Sequence, residues 1–357
     1  MSKQFTLPYE GGLIEKDLPA GILHNYEKIW TEVYPEPVPA SSAVADLIVA
    51  AINGCAGRLF RLGLTTGATP APLYEELLRR YQAGQVSFRN VEVVSIDEYY
   101  PSSSDAMQSR NHRLHDALLD KVDILPENIH IPDGTVPQSE VSDYCSKFDK
   151  LARELDLLVI GIGEEGQVGF NEAGSNEKTR TRTVRLSYSS RKRQARNFGN
   201  DLSSTPQSAI TMGIGTMLTA KRIVLMAWGE DKANAVKAIV EGDVTTACPA
   251  SLLQRHDHIN FYVDATAGSL LTRVVAPWLV GPCDWTPKLV RKAVVWLCET
   301  VGKPILKLTD KDYLENSLGE LLEQYGPYDQ INIQVFNDLQ HTITGWPGGK
   351  PNTNDST

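Results

Sequence analysis

Cysteine is scarce in this sequence of 357 residues, and the five that occur are scattered, with no Cys-x-x-Cys pair among them. An odd, widely spaced set favours neither a disulfide framework nor a cysteine-ligated zinc site. Unpaired thiols are typical of a reducing compartment, so we expect a cytoplasmic protein. The N-terminal residues lack the apolar core of a signal peptide, and no run approaches the ~18 apolar residues of a membrane helix. We therefore expect no membrane association.

Positive charge is also in short supply. The 35 Lys and Arg residues are outnumbered by 44 Asp and Glu residues, which gives a formal net charge of −9. Such a surface disfavours nucleic acids and anionic membranes as partners. An anionic small molecule would then need a local basic pocket. The seven histidines show no His-Glu-x-x-His or other metal-ligand spacing, so we interpret them as structural or surface residues.

The sequence does contain a series of short β-rich runs separated by helical stretches, namely "RLFRLGL", "VEVVSI", "LDLLVIGIG", "RIVLMAW" and "HINFYVD". Short apolar strands that alternate with helices predict an α/β fold with a doubly wound, mostly parallel sheet of Rossmann-like type. We expect an N-terminal arm over residues 1–40, a main domain over 41–265, and a C-terminal α/β extension over 266–357 that packs on the core. The strand-like runs of the extension are "KPILKL" and "QINIQVF".

Ligands of open parallel sheets bind at the carboxyl ends of the strands, so the residues after each run are candidates for a site. After "RLFRLGL" comes "TTGATP". There Thr66 and Thr69 supply hydroxyl donors and Gly67 lets the backbone approach an anion, while the following helix start favours phosphate. The alternative is an ordinary strand-to-helix turn with Thr69 as N-cap. After "VEVVSI" come Asp97 and Glu98, which are candidates for a general base or, equally, for helix capping or a surface pair.

A glycine-rich loop, "GIGEEGQVGFNEAGS", follows the third run. Its glycines permit a tight turn, and Glu165, Gln167 and Glu172 would then lie near the same sheet edge. Crowded carboxylates repel one another, which makes a purely structural turn the less favoured interpretation. Two groups of cations are further candidates. Lys232 falls in the first turn of a helix, where a bound anion would explain it, although a solvated lysine is the plainer alternative. The basic stretch "TRTRTVRLSYSSRKRQARNFGND" is either a phosphate clamp or a solvated face.

Several of these stretches together resemble the glucosamine-6-phosphate deaminase/isomerase family. They are "LGLTTGATPAPLYEELLRRYQAGQVSF", "VVSIDEYY", "VDILPENIHIPDG", "LLVIGIGEEGQVGFNEAGS", "SAITMGIGTML" and "KANAVKAIVEG". The match runs in order over residues 58–265, and the tail resembles that of extended family members. The related 6-phosphogluconolactonases share the fold but resemble the chain less.

The resemblance implies an aldose–ketose isomerisation coupled to loss of ammonia, in which glucosamine 6-phosphate and water give fructose 6-phosphate. Asp97 would be the base that takes the C2 proton and delivers one to C1, and Glu172 would belong to a ring-opening relay with Glu165 and Gln167. Candidate substrate-binding residues are Thr66, Gly67, Thr69, Glu98, Gly166, Arg196 and Lys232, of which the last two would clamp the phosphate. The substrate would be a hexosamine 6-phosphate, no metal or organic cofactor is implied, and we expect a homo-oligomer.

The chain departs from the family at the glycine loop, which reads Glu165-Gly166-Gln167 where the family has Asp-Gly-His. The family histidine moves a proton at the ring oxygen, whereas glutamine has none to exchange near neutral pH. Loss of such a group typically costs ~10²–10⁴-fold in rate. The alternatives to the deaminase are therefore a weakly active or non-catalytic sugar-phosphate-binding protein on the same fold and a 6-phosphogluconolactonase-like hydrolase. Val184 stands where the family's allosteric site usually has lysine, so we predict no allosteric activation.

Overall fold

The computed structural model describes residues 12–13, 25–55, 57–104 and 106–344. These residues divide into two compact units. Unit 1 comprises residues 27–271, and unit 2 comprises residues 12–13, 25–26 and 272–344.

The described strands in chain order are β1 (Gly12–Leu13), β2 (Trp30–Tyr34), β3 (Phe60–Leu64), β4 (Val91–Ser95), β5 (Asp97–Tyr100), β6 (Ile129–His130), β7 (Leu157–Gly161), β8 (Arg182–Arg185), β9 (Ser208–Thr211), β10 (Ile223–Ala227), β11 (Ile259–Asp264) and β12 (Cys283–Asp284). The described α-helices are α1 (Pro37–Gly54), α2 (Ala71–Gln82), α3 (Arg110–Ala117), α4 (Val141–Leu151), α5 (Tyr188–Gln194), α6 (Ile214–Met217), α7 (Ala233–Val240), α8 (Thr272–Val275), α9 (Pro287–Val301), α10 (Asp310–Glu315), α11 (Gly319–Tyr325) and α12 (Tyr328–Thr344).

Unit 1 is built on a seven-stranded sheet in the order β2-β11-β10-β7-β3-β4-β6, and every neighbouring pair is parallel. The central strands are buried along their length, because helices cover both faces of a parallel sheet and leave no solvated side. The predicted fold class, a doubly wound parallel sheet flanked by helices, is confirmed. Strand order changes direction between β3 and β7, which is where such sheets open a crevice for ligands.

A second, smaller sheet of unit 1 is antiparallel and has the order β5-β9-β8. Its first strand follows β4 after a single residue, Ile96, whose N–H donates to the carbonyl of Leu64 at 3.1 Å. Asp97 therefore opens a new strand beside the carboxyl edge of the main sheet. It pairs with Thr211 of β9.

Helix α1 is long and apolar enough to cross a membrane by length and composition, with a mean hydropathy of 1.2. Its buried side chains recur at helical spacing, as in Val44, Ile48 and Ile52, and all three belong to the main hydrophobic core of unit 1. We therefore interpret α1 as a core helix. The cytoplasmic location of the protein stays a prediction.

The prediction of an N-terminal arm over residues 1–40 is wrong for the last third of that range. The structure has β2 at the edge of the main sheet, paired with β11, and starts α1 at Pro37. The stretch is rich in proline, but Pro37 and Pro39 lie in the first turn of the helix, where proline replaces N–H groups that have no intrahelical partner. The earlier part of the arm lies largely outside the described residues.

Unit 2 is mainly helical, with one two-residue antiparallel pair between β1 and β12. Its core holds Trp278 stacked on Trp285 at 6.0 Å and edge-on to Trp296 at 5.3 Å. The predicted strands of this region are wrong. "KPILKL" contains a 3-10 turn at Ile305–Lys307, and "QINIQVF" lies in α12.

The physical reason is visible in the second run. Ile331 and Val335 are buried four residues apart, while Ile333 between them is 54% exposed. The alternation of apolar residues therefore imitates a strand, but only the helical pair contributes to the core. The predicted packing of residues 266–357 on the main domain stays a prediction.

Candidate functional site

A cavity of about 510 Å³ lies at the carboxyl ends of β3, β7 and β10. Its volume falls in the usual range for small-molecule sites. The structure brings seven of the predicted site residues to its wall, namely Thr66, Gly67, Thr69, Asp97, Gln167, Arg196 and Lys232. The cavity therefore brings together the threonine turn around Gly67, the glycine loop and the two cationic residues predicted to bind phosphate.

The threonine turn connects β3 to α2. Gly67 has a φ of +141°, which lies in the region that favours glycine, so the backbone can take this path without strain. Thr69 is not the N-cap of α2, because Pro70 holds that position and α2 begins at Ala71. The carbonyl of Thr69 instead accepts a hydrogen bond from the indole N–H of Trp228 at 2.7 Å. This bond fixes the turn against the end of β10.

Asp97 is the buried acid of the cavity. The residue is 3% exposed, and its Oδ1 has no hydrogen-bond partner among the described residues. Burial raises the pKa of Asp97, and the nearby charge of Arg110 opposes that rise. A buried carboxylate with a free oxygen and an elevated pKa can accept a proton from carbon at near-neutral pH.

Sequence reasoning missed two arginines that helix α3 places on the cavity wall, Arg110 and Arg113. Arg110 is 6% exposed, and its Nε lies 3.7 Å from Oδ1 of Asp97. Its Nη1 donates to Oγ1 of Thr66 at 3.2 Å. Arg113 donates to Oδ1 of Asn197 at 3.2 Å. The signal for the pair was their spacing of three residues in "SRNHRLHDAL", which puts both on one helix face.

The guanidinium group of Arg110 packs against two aromatic rings that also contact each other. It lies 5.0 Å from the ring centre of Tyr99 and 5.2 Å from that of Phe170. Cation–π contacts of this kind stabilise a cation that has lost its water. Arg110 is therefore fixed beside Asp97.

Glu98 does not line the cavity, contrary to its assignment as a substrate-binding residue. Side chains alternate along a strand, so Glu98 points away from the face that carries Asp97. It is 2% exposed, and its carboxylate accepts hydrogen bonds from the backbone N–H groups of Tyr99, Arg110 and Asn111 at 2.7–2.9 Å. Two of these donors open helix α3, whose first N–H groups have no intrahelical acceptor. Glu98 thus anchors the helix that carries Arg110.

We expect Glu98→Gln to lower the free energy of unfolding by ~1–3 kcal/mol, because a neutral amide accepts more weakly and offers only one oxygen. Urea unfolding checks this, with Asp243→Asn as control, since the Asp243 carboxylate is fully exposed and should contribute under ~0.5 kcal/mol. An altered affinity for ligand at unchanged stability would contradict this role.

In the glycine loop, Gln167 lies on the cavity wall and both ends of its amide are occupied by Glu165. Its Nε2 donates to Oε2 of Glu165 at 2.7 Å, and its Oε1 accepts the N–H of Glu165 at 3.2 Å. A Cβ at Gly163 would clash with the amide, so a larger residue there would displace the Gln167 side chain. The Glu165 side chain is 58% exposed, pairs with Arg193 at 3.2 Å and does not line the cavity.

The structure also leaves Gly166 and Glu172 outside the cavity wall. The N–H of Gly166 donates to the carbonyl of Gly163 at 3.0 Å, which closes the turn, and its Cα faces the thiol of Cys248. Both oxygens of Glu172 accept the N–H of Ser187 at 3.2 Å, at the start of α5. Neither residue contacts the space in which a ligand would sit.

The two cationic residues predicted to bind phosphate, Lys232 and Arg196, differ in their surroundings. Lys232 ends a 3-10 turn just before α7, and its Nζ lies 3.1 Å from Asp231 and 3.9 Å from Glu164. Arg196 is exposed and forms no ion pair among the described residues. The guanidinium of Arg196, the ammonium group of Lys232 and the threonine turn therefore line the same cavity. Among the residues described, no group of three or more His, Cys, Asp or Glu could hold a metal ion.

A sequence model of the family described as glucosamine-6-phosphate isomerases/6-phosphogluconolactonase matches residues 36–262. A putative glucosamine-6-phosphate deaminase-like protein of Bacteroides thetaiotaomicron is 44% identical over 340 residues, which cover 94% of this chain and 51% of that protein. The chain thus spans about half the length of this relative. Glucosamine-6-phosphate deaminase 2 of Bacillus subtilis is 44% identical over 214 residues, which cover 59% of this chain and 85% of that protein.

Solved structures give the same picture of the fold. A monomeric glucosamine-6-phosphate deaminase superposes with a TM-score of 0.64 and 34% identity, over 68% of this chain and 100% of that chain. A 6-phosphogluconolactonase from Trypanosoma brucei superposes with a TM-score of 0.55 and 17% identity, over 69% of this chain and 99% of that chain. The second likeness is one of fold alone.

Proposed function

The chain belongs to the glucosamine-6-phosphate isomerase/6-phosphogluconolactonase family, and from this premise we propose that it converts glucosamine 6-phosphate and water to fructose 6-phosphate and ammonia. The observation that carries the proposal is the position of buried Asp97 on the wall of the same cavity as the threonine turn, Arg196 and Lys232. One end of that cavity suits an ester phosphate and the other suits proton transfer at carbon.

The phosphate end combines neutral and charged donors. The hydroxyls of Thr66 and Thr69 and the backbone around Gly67 surround the anion, and Arg196 and Lys232 supply positive charge. Lys232 exchanges its contacts with Asp231 and Glu164 for the stronger contact with a dianion. This grip fixes the far end of the sugar and so holds C1 and C2 near Asp97.

At the other end, Asp97 takes the proton from C2 of the aldehyde. The C–H electron pair forms a C1=C2 double bond as the carbonyl pair moves to O1, which takes up a proton from water and becomes a hydroxyl. Asp97 returns the proton to C1 while the nitrogen lone pair forms a C2=N bond, and the nitrogen releases a proton to water to leave the imine. Water adds to C2, ammonia leaves, and the product is the ketose phosphate. No electrons are gained or lost overall, and the reaction needs one water and one proton-transfer group at C2 and C1.

We expect Lys232→Met to raise KM for glucosamine 6-phosphate by ~10–100-fold, because a charge-assisted hydrogen bond to phosphate contributes ~1.5–3 kcal/mol. Steady-state ammonia release measures this. Lys192→Met is the matched control, since Lys192 is exposed and does not line this cavity. Equal KM values for the two variants would show that Lys232 does not bind the phosphate.

A second function, sugar-phosphate binding without turnover, is favoured by one observation, the amide of Gln167 where the family has histidine. Ammonia release by the purified chain, beside its thermal stabilisation by glucosamine 6-phosphate, separates the two. Stabilisation without any ammonia supports the binding protein, and ammonia release supports the enzyme. The homo-oligomeric state and the absence of allosteric activation stay predictions.

A further inference from the structure

The proposed reaction starts from an aldehyde, whereas hexosamine phosphates exist mainly as closed rings. Opening the ring breaks the C1–O5 bond. The electron pair goes to O5, which takes up a proton, while the hydroxyl on C1 loses its proton and becomes the carbonyl. Catalysis of this step needs groups in the cavity that both give and receive a proton.

Gln167 cannot supply this exchange. A glutamine amide has no proton to exchange near neutral pH, and the hydrogen-bonding capacity at both ends of this amide is directed to Glu165. Glu165 is itself paired with Arg193 and lies off the cavity wall.

The other groups on the wall are committed as well. Among the described residues that line the cavity, the ionisable ones are three carboxylates, four arginines and Lys232, with no His, Cys or Tyr. Glu164 and Asp231 lie beside Lys232, at the phosphate end. Asp97 remains, and it must be ionised and free when C2 gives up its proton.

We propose that this site acts on the open-chain aldehyde form of a hexosamine 6-phosphate and leaves ring opening to the solution. The inference rests on the proposed function and specifies the form of substrate that the cavity takes. Its consequence is kinetic, because the enzyme cannot turn over faster than the sugar opens by itself.

The test is the rate of ammonia release from a fixed concentration of glucosamine 6-phosphate as the enzyme concentration is raised. We expect the rate to rise in proportion at first and then to reach a plateau that more enzyme does not change. Imidazole, a soluble acid–base catalyst of ring opening, should raise the plateau. Lys232→Met should need more enzyme to reach the same plateau, since the plateau is a property of the sugar. Asp97→Asn with imidazole controls for deamination by imidazole itself.

A second arm uses Gln167→His, which restores a titrating ring next to Glu165. We expect its rate to keep rising in proportion to the enzyme concentration beyond the wild-type plateau, because a positioned proton-transfer group typically accelerates such a step by ~10²-fold or more. If Gln167→His does not fold, the measurements on the wild-type protein still test the proposal. A wild-type rate that stays proportional to the enzyme concentration and does not change with imidazole overturns the open-chain inference. That result would still support the deaminase function. No ammonia under any condition overturns the proposed function, and this inference with it.

Discussion

Asp97→Asn is expected to lower kcat for ammonia release by ~10²–10⁴-fold, because the asparagine amide cannot take the proton from C2. The substitution keeps the size of the side chain, so the cavity should keep its shape. Affinity for a reduced sugar phosphate with no carbonyl, such as glucitol 6-phosphate, should change little. Calorimetric binding beside the activity assay measures both quantities.

The pH profile of ammonia release by the wild-type protein belongs to the same prediction. Burial raises the pKa of Asp97, and only the ionised form can act as base. Activity should therefore be lost as the pH falls through this raised pKa, above the range usual for an aspartate. Activity in Asp97→Asn near the wild-type level would assign the proton transfer to another group.

Arg110→Gln is expected to lower the free energy of unfolding at neutral pH by ~3 kcal/mol, because removal of one partner leaves the other charge buried and uncompensated. The variant should also move the acid limb of activity to higher pH, since the arginine charge lowers the pKa of Asp97. The loss of stability should be smallest at low pH, where Asp97 is neutral, and should grow as the pH rises.

Urea unfolding at several pH values and the pH dependence of kcat provide the two measurements. Arg113→Gln is the matched control, because it lies on the same helix face and pairs with an amide, so its loss should cost ~1 kcal/mol at most. Arg110→Lys keeps the charge and should restore part of the pH profile. A stability loss with an unmoved acid limb would show that Arg110 only supports the fold.

The sequence was sufficient to predict five of the seven strands of the main sheet and the position of the cavity. Runs such as "LLVI" are apolar throughout because both faces of the strand are covered, and this pattern is local. Asp97 and the threonine turn follow such runs directly. They lie close together because the carboxyl ends of parallel strands lie at the same edge of the sheet.

Arg110 and Glu98 could not be assigned correctly from the same pattern. Whether α3 faces the cavity depends on hydrogen bonds to Glu98 from residues 12 and 13 positions away along the chain. Two adjacent acids after a strand look alike in a sequence, although one faces the cavity and the other a helix start. The placement of Glu172 at the start of α5 is likewise set by tertiary contacts.

The adjacency of Asp97 and Glu98 on one short strand has a mechanical consequence. Since Glu98 tethers the helix that carries Arg110, Asp97 and its counter-charge lie on two elements, β5 and α3, that hydrogen bonds join directly. We expect these two elements to move together, so that the spacing of the two charges is preserved. The acidity of the base should therefore be insulated from loop motions elsewhere in the molecule, until β5 itself peels away from β9.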